Sequence, residues 1–199
     1  QIYRYGIDHV GRLAAQELFT EYLAFEKMHG DMEDVDRAVL EQRRFYYETQ
    51  VIERGKYNVW FDYIRMERHE GGDDEGVVRE LYERVIGDVP QERTEDAWVS
   101  YMEFWILYAL WEEQKGHDDR AQLIYETALQ IIPHREFTIE AVWKYFGKFA
   151  RERKLTDVVR KVYGNAIGWL GKDWVFEEYL AYEQALAEET KETWRVEKI

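Results

Sequence analysis

Residues 60–67, WFDYIRME, hold the pattern that decides the fold: an aromatic at Trp60, a second at Tyr63 and an acid at Glu67. On an α-helix, offsets of zero, three and seven residues fall within about 60° of one another, so these side chains form one narrow stripe. The stripe recurs as Phe19, Tyr22 and Glu26; as Trp105, Tyr108 and Glu112; as Phe176, Tyr179 and Glu183; and as Trp143 and Phe146, with Ala150 replacing the acid. Such recurrence indicates a repeat architecture.

A second kind of helix is predicted between the stripes, which we call the B helix, the striped one being the A helix. Its apolar residues follow the helical period in residues 73–90 and 120–133. The copies share a tyrosine followed eight residues later by a helix-ending residue: Tyr82 and Pro90, Tyr125 and Pro133, and Tyr163 and Gly171. First aromatics are spaced by 41, 45, 38 and 33 residues, which suits helical hairpins joined by loops of variable length. The pattern predicts an all-α fold, an α-solenoid of helical hairpins.

We expect residues 1–199 to form a single array of about five repeats, with partial repeats at both ends. The hairpins are predicted near 15–55, 57–90, 95–133, 138–171 and 173–199. Residues 37–55 read as an unusually long B helix. The A helix before Trp105 is extended by about two turns, since Trp98, Tyr101 and Met102 continue its apolar face. The first and last residues read as pieces of interrupted repeats, so we expect a central portion of a longer array.

Composition narrows the function. The chain has 46% hydrophobic and 34% charged residues and a formal net charge of -14, which disfavours binding along a phosphate backbone. It has no cysteine, and its five histidines lack metal-ligand spacing, so we expect no metal and no cofactor. It also has no apolar run of the ~20 residues needed to cross a membrane. Proteins are the expected partners.

The stripe acids are predicted to be structural and not catalytic, because one acid per repeat places them in a line instead of around a shared cleft. A half-buried acid needs hydrogen-bond donors, which we expect from the B helix of its own hairpin. For Glu67 the predicted partner is Arg79 or Tyr82. The repeated aromatics are predicted to be core, and not a base-stacking platform, because no basic groove accompanies them. We predict no enzyme activity.

The most basic local patch is the candidate partner-binding site: Arg43 and Arg44, with Tyr46 and Tyr47, and Arg37 nearby. Arginine beside exposed aromatic rings suits a protein interface, or a local contact with RNA. The alternative is that these arginines pair with acids of the adjacent repeat.

The stripe, together with arginine, tyrosine and proline on the B helix, resembles the HAT (half-a-TPR) repeat. The segments QELFTEYLAFEK, QRRFYYETQV, VWFDYIRMER, VRELYERVIGDVP, WILYALWEEQ and IIPHREFTIEAVW resemble, in order and approximate spacing, the middle of the Crooked neck family of pre-mRNA splicing factors. QRRFYYE and PHREFT are the most specific, since periodicity does not require them. Ala150, Gly171 and the VIERGKYN loop depart from the family pattern.

The resemblance implies a nuclear, non-catalytic scaffold of the spliceosome-associated Nineteen complex. It implies as partners a second, longer HAT-repeat scaffold, a Myb-domain splicing factor and other Nineteen complex subunits, with spliceosomal RNA touched at most indirectly or through local contacts, and no membrane. Two alternatives remain: a HAT-repeat scaffold of mRNA 3′-end cleavage or ribosomal RNA processing, and, from a different class, a direct RNA-binding module.

Overall fold

The computed structural model describes residues 2–9, 12–54, 57–72 and 74–190. These residues form ten helices and no strand, which confirms the all-α class. The chain divides into two compact units, residues 1–87 and 88–199.

The first unit holds α1 to α5: Ile2–His9, Arg12–His29, Met32–Arg54, Tyr57–Glu70 and Glu75–Ile86. Each helix packs against the next one along the chain. The predicted long B helix is α3, with 23 residues. Acidic residues lie at the start of the B helices, where a carboxylate can accept hydrogen bonds from free backbone N–H groups. At the start of α5, the Asp74 carboxylate accepts a hydrogen bond from the Gly76 N–H.

The second unit holds α6 to α10: Glu95–Gln114, Asp118–Ile131, Glu140–Glu152, Thr156–Leu170 and Asp173–Thr190. Here too consecutive helices pack together, and α6 also contacts α8. The predicted extension of α6 is present, because the helix begins ten residues before Trp105. Trp98, Tyr101 and Met102 in this extension are buried.

Most of the stripe aromatics lie in the core. Eight are buried, namely Phe19, Tyr22, Trp60, Tyr63, Trp105, Tyr108, Trp143 and Phe146. Phe176 differs from the expectation, since it is 41% exposed, and Tyr179 is only half-buried. Helical periodicity places the first aromatic on a face of the helix but does not determine what covers that face. Trp60 is covered by Arg84 of its own B helix, 5.2 Å from the ring centroid.

Only some of the B helices end where the proline and glycine positions predict. Helix α9 ends at Gly171, whose φ of 57° is left-handed, as predicted for a glycine cap. Helix α7 ends at Ile131, next to Ile132 and Pro133. The prediction that α5 continues to Pro90 is wrong: α5 ends at Ile86 and Val89 is 48% exposed. Gly87 is a weak helix former, and a proline disfavours helical backbone in the residue before it.

Replacing Trp60 with alanine tests the core assignment. Trp60 is 8% exposed, so truncation leaves a cavity that should cost about 3–5 kcal/mol of unfolding free energy. Chemical denaturation measures this cost. The matched control is Tyr46→Ala in the same unit, whose side chain is 56% exposed and should change stability by less than about 1 kcal/mol. Equal stability of the Trp60 variant and the wild type would contradict the assignment.

Candidate functional site

The carboxylate of Glu67 is almost completely buried, with 1% exposure, and Arg44 binds it with both ends of its guanidinium. Arg44 Nε and Nη2 each donate a hydrogen bond of 2.7 Å, to Oε1 and Oε2 respectively. The predicted partner was therefore wrong: Arg44 belongs to α3, the B helix of the preceding hairpin, whereas Arg79 lies 3.7 Å from Glu75 on its own helix. Glu67 therefore joins two hairpins instead of closing one.

The second unit repeats this contact. Arg160 of α9 donates to both oxygens of Glu183 on α10, at 2.7 Å and 3.1 Å, and Glu183 is 3% exposed. Both pairs join residues 23 positions apart. In both, the hydrogen bonds to the carboxylate raise the pKa of the guanidinium above its ordinary value.

A stacked ring pair accompanies each of these ion pairs. Tyr47 stacks on Tyr63 with centroids 5.2 Å apart and planes 10° apart. Tyr163 stacks on Tyr179 at 5.7 Å and 5°. Because each tyrosine follows its arginine by three residues, one face of the B helix presents arginine and tyrosine to the acid and second aromatic of the next A helix. We call this four-residue arrangement the inter-repeat clasp.

The junction between α7 and α8 lacks both charges of the clasp. Ala150 stands where the acid is expected and is fully buried, and Gln122 occupies the position three residues before Tyr125. The ring pair is kept, since Tyr125 stacks on Phe146 at 5.3 Å and 15°. The missing acid is therefore matched by a missing arginine, and neither charge is left buried without its partner.

A chain of neutral hydrogen bonds spans this junction, and Arg153 at the end of α8 also pairs with Asp118 at the start of α7, at 2.8 Å. His134 Nε2 lies 2.8 Å from the Leu129 carbonyl and Nδ1 lies 2.8 Å from Thr138 Oγ1. A carbonyl can only accept, so Nε2 carries the proton, and Nδ1 of the neutral ring accepts from the threonine hydroxyl. Thr138 in turn accepts from the Trp143 indole N–H at 3.1 Å. This assigns a physical role to the histidine and threonine of PHREFT, and burial lowers the pKa of His134 below its ordinary value.

The two remaining stripe acids are Glu112 and Glu26. Glu112 is fully buried, 2.6 Å from His117 Nδ1 and 3.8 Å from Arg120 Nη1. Here the acid does meet its own hairpin, as expected. Glu26 on α2 is half-buried. The buried acids are thus each held by basic side chains of neighbouring segments.

The arginines of the candidate partner-binding patch are all paired with acids. Arg44 binds Glu67, Arg43 donates to Glu70 on α4, and Arg37 lies 3.0 Å from Asp34. These contacts favour the structural alternative for the arginines. Tyr46 is left 56% exposed, while Tyr47 is half-buried in the clasp.

Beside Tyr46 lies a groove of about 780 Å³, built by α2, α3 and α4 and hereafter the α2–α3–α4 groove. Phe19 and Met66 contribute buried apolar surface to its lining, and Gln16, Gln42 and Gln50 contribute amides. Sequence reasoning found only the α3 side, because helical periodicity shows which residues share a face but not which helices converge.

In the part of the chain that the structure describes, no three His, Asp or Glu side chains are grouped so that they could hold a metal ion. The same residues include no helix that is both long enough and apolar enough to span a membrane.

Comparison with known proteins gives a consistent result. A family model described as "PRP39 C-terminal HAT repeat" matches residues 36–168. The chain is 41% identical over 189 residues to "Pre-mRNA-splicing factor clf-1" of Neurospora crassa, covering 94% of this chain and 27% of that protein. It is 37% identical to "Protein crooked neck" of Drosophila melanogaster over the same shares, and 36% identical to "Crooked neck-like protein 1" of Mus musculus, covering 92% of this chain and 26% of the relative. The chain thus spans about a quarter of the length of these relatives.

Breaking the clasp should destabilise the first unit. In Arg44→Met the Glu67 carboxylate stays buried without its partner, which should cost about 3 kcal/mol of unfolding free energy. Arg43→Met is the matched control, since both side chains of its ion pair are about half exposed and the loss should stay below about 1 kcal/mol. Urea titration compares the two. If the double variant Arg44→Met with Glu67→Met recovers most of the lost stability, the cost in Arg44→Met comes from the unpaired charge. Equal losses of stability in Arg44→Met and Arg43→Met would contradict the clasp.

The His134 hydrogen bonds predict a pH dependence. Because the folded pKa is lowered, the unfolded chain takes up the proton first as pH falls below about 6.5. The contribution of His134 to stability is therefore complete above that pH and declines below it. In His134→Gln, which does not titrate, the stability deficit relative to wild type should shrink between about pH 7.5 and 5. Urea titrations across this range measure the difference, and a deficit that is constant with pH would exclude the neutral-ring arrangement.

Proposed function

The chain belongs to the HAT-repeat family, within its Crooked neck and CLF1 group, and from that membership we propose that it is part of a non-catalytic scaffold acting in pre-mRNA splicing. The observation that carries this proposal is the identity to named splicing factors along nearly the whole chain. The family match over residues 36–168 supports it independently of the individual relatives.

The placement of the ionisable groups supports a non-catalytic role. The buried carboxylates of Glu67 and Glu183 are each engaged by an arginine through two hydrogen bonds, and Glu112 by His117. An enzyme needs such groups to converge on a pocket with room for a reacting atom. Here they fix neighbouring helices instead.

The same contacts support protein partners over RNA. A groove that binds single-stranded RNA combines stacking rings with cations that are available to phosphates. The arginines beside Tyr46 are committed to Glu67, Glu70 and the acids at the start of α3, and the chain carries a formal charge of -14. We therefore propose that Arg43, Arg44, Tyr46 and Tyr47 serve a protein interface, in which Tyr46 makes contact and the arginines position it.

More specifically, we propose that this scaffold works in the nucleus as part of the Nineteen complex. Its proposed mechanism is geometric: within each unit a clasp fixes one hairpin to the next, so that each unit offers its partners a constant surface. The proposed partners are a second, longer HAT-repeat scaffold, a Myb-domain splicing factor and other subunits of that complex.

Affinity purification of the tagged full-length protein from nuclear extract, with nuclease added, tests the proposal. We expect the recovered proteins to include the second HAT-repeat scaffold and the Myb-domain factor, at levels that nuclease leaves unchanged. Recovery of 3′-end cleavage factors or of ribosomal RNA processing factors in their place would support one of the alternative scaffolds. Loss of all partners on nuclease treatment, together with binding that weakens steeply as salt rises, would favour direct RNA binding.

A further inference from the structure

We propose that the α2–α3–α4 groove binds an extended segment of a protein partner, uncharged where it fills the groove, anchored by one aromatic or long aliphatic side chain and flanked by Lys or Arg. The inference rests on the proposed scaffold function and specifies the chemistry of one partner at one site.

The lining of the groove encloses a cavity that the anchoring side chain of the partner could fill. Phe19 and Met66 are 5% and 6% exposed, so they form a fixed apolar surface beside a cavity of about 780 Å³. Tyr46 also lines the cavity and keeps 56% of its surface exposed, with its ring edge-on to Tyr47 at 5.5 Å and 70°. A preorganised ring beside a preformed cavity that includes apolar surface has the composition of an interface hot spot, because an inserted anchor would bury both the ring and that surface.

The amides favour an extended occupant. Gln42 and Gln50 line the groove eight residues apart on α3, which separates them by about 12 Å along the helix. Gln16 of α2 contributes a third amide to the lining. Side-chain amides both donate and accept, and an extended segment has free backbone N–H and C=O groups to pair with them. A helix has already used those groups internally, so it would leave the glutamines without backbone partners.

The charges in and around the groove indicate which charged residues the bound segment should carry. Two arginines and two carboxylates line the groove together with His69, and the four form two ion pairs, Arg43 with Glu70 and Arg65 with Asp62 at 2.7 Å. A charged group inside the groove would have to compete with one of these pairs. Outside it, the approaching partner meets a chain with 41 acidic and 27 basic residues. Electrostatic complementarity therefore favours a neutral segment with basic flanks.

Selection from a displayed library of random 12-residue peptides on the full-length protein tests the inference. The enriched peptides, resynthesised and titrated by fluorescence anisotropy, should share one aromatic or long aliphatic residue with Lys or Arg on either side. Tyr46→Ala should weaken their binding about tenfold or more, since a hot-spot contact is removed. Gln50→Leu should weaken it severalfold, because the variant keeps the bulk of the side chain and loses the amide.

The matched control is Tyr145→Ala in the second unit, where the side chain is 40% exposed and binding should be unchanged. The inference is overturned if the peptides are insensitive to Tyr46→Ala, are acidic, become helical on binding by circular dichroism, or are displaced by a 15-nucleotide oligouridine RNA. It is also overturned if no peptide is enriched above background.

The purification experiment separates this inference from the proposed function. If splicing proteins are recovered equally by the wild type and by Tyr46→Ala, the groove inference fails while the scaffold function stands. If the wild type recovers none of them, the proposed function itself is wrong, whatever the peptides show.

Discussion

A carboxylate buried on the A helix has to be neutralised, and the source of the neutralising charge sets the geometry of the repeat. Glu67 is 1% exposed, and an unpaired charge at that depth would cost several kcal/mol. Its partner Arg44 comes from the preceding hairpin, so α3 and α4 can lie only where both hydrogen bonds of 2.7 Å are made. Arg160 and Glu183 impose the same condition on α9 and α10. At these two positions the acid of the repeat is thus a connector between hairpins, whereas Glu112 is held within its own hairpin.

These ion pairs determine which side-chain groups remain available for binding on the surface around α3 and α4. The clasp engages Arg44, and its neighbour Arg43 is paired with Glu70 on the same helix as Glu67. The α2–α3–α4 groove that results is lined by rings, amides and ion pairs that cancel. In a chain of net charge -14, we expect such a groove to discriminate among partners by shape and by hydrogen bonds, with the charged residues outside it acting on the rate of approach.

The sequence predicts the all-α fold, the long α3, the extended α6 and the glycine end of α9, because each depends on local periodicity or on backbone preference. It misplaces the partner of Glu67, because helical spacing shows the face on which an acid lies but not which neighbouring helix covers it. The exposure of Phe176 is missed for the same reason, because helical spacing does not show whether another helix covers its face. The groove could not be predicted, because residues of α2 and α4 that line it lie some 50 positions apart in the chain. The 23-residue spacing of arginine and acid, with a tyrosine three residues after each arginine, is a sequence signal that could have revealed the clasp.

The α7–α8 junction shows why the two charges of the clasp must change together. Replacing only the acid by Ala150 would leave an arginine facing a buried methyl group, and replacing only the arginine by Gln122 would leave a buried carboxylate without a cation. Losing both removes the desolvation cost of both, and the Tyr125 and Phe146 rings keep the spacing between the helices. The orientation that the ion pair would have fixed then comes from the neutral chain through His134, Thr138 and Trp143. One structural task, the placement of the next A helix, therefore uses a buried ion pair at two junctions. At the third it uses neutral hydrogen bonds, together with the part-exposed pair of Arg153 and Asp118 at 2.8 Å.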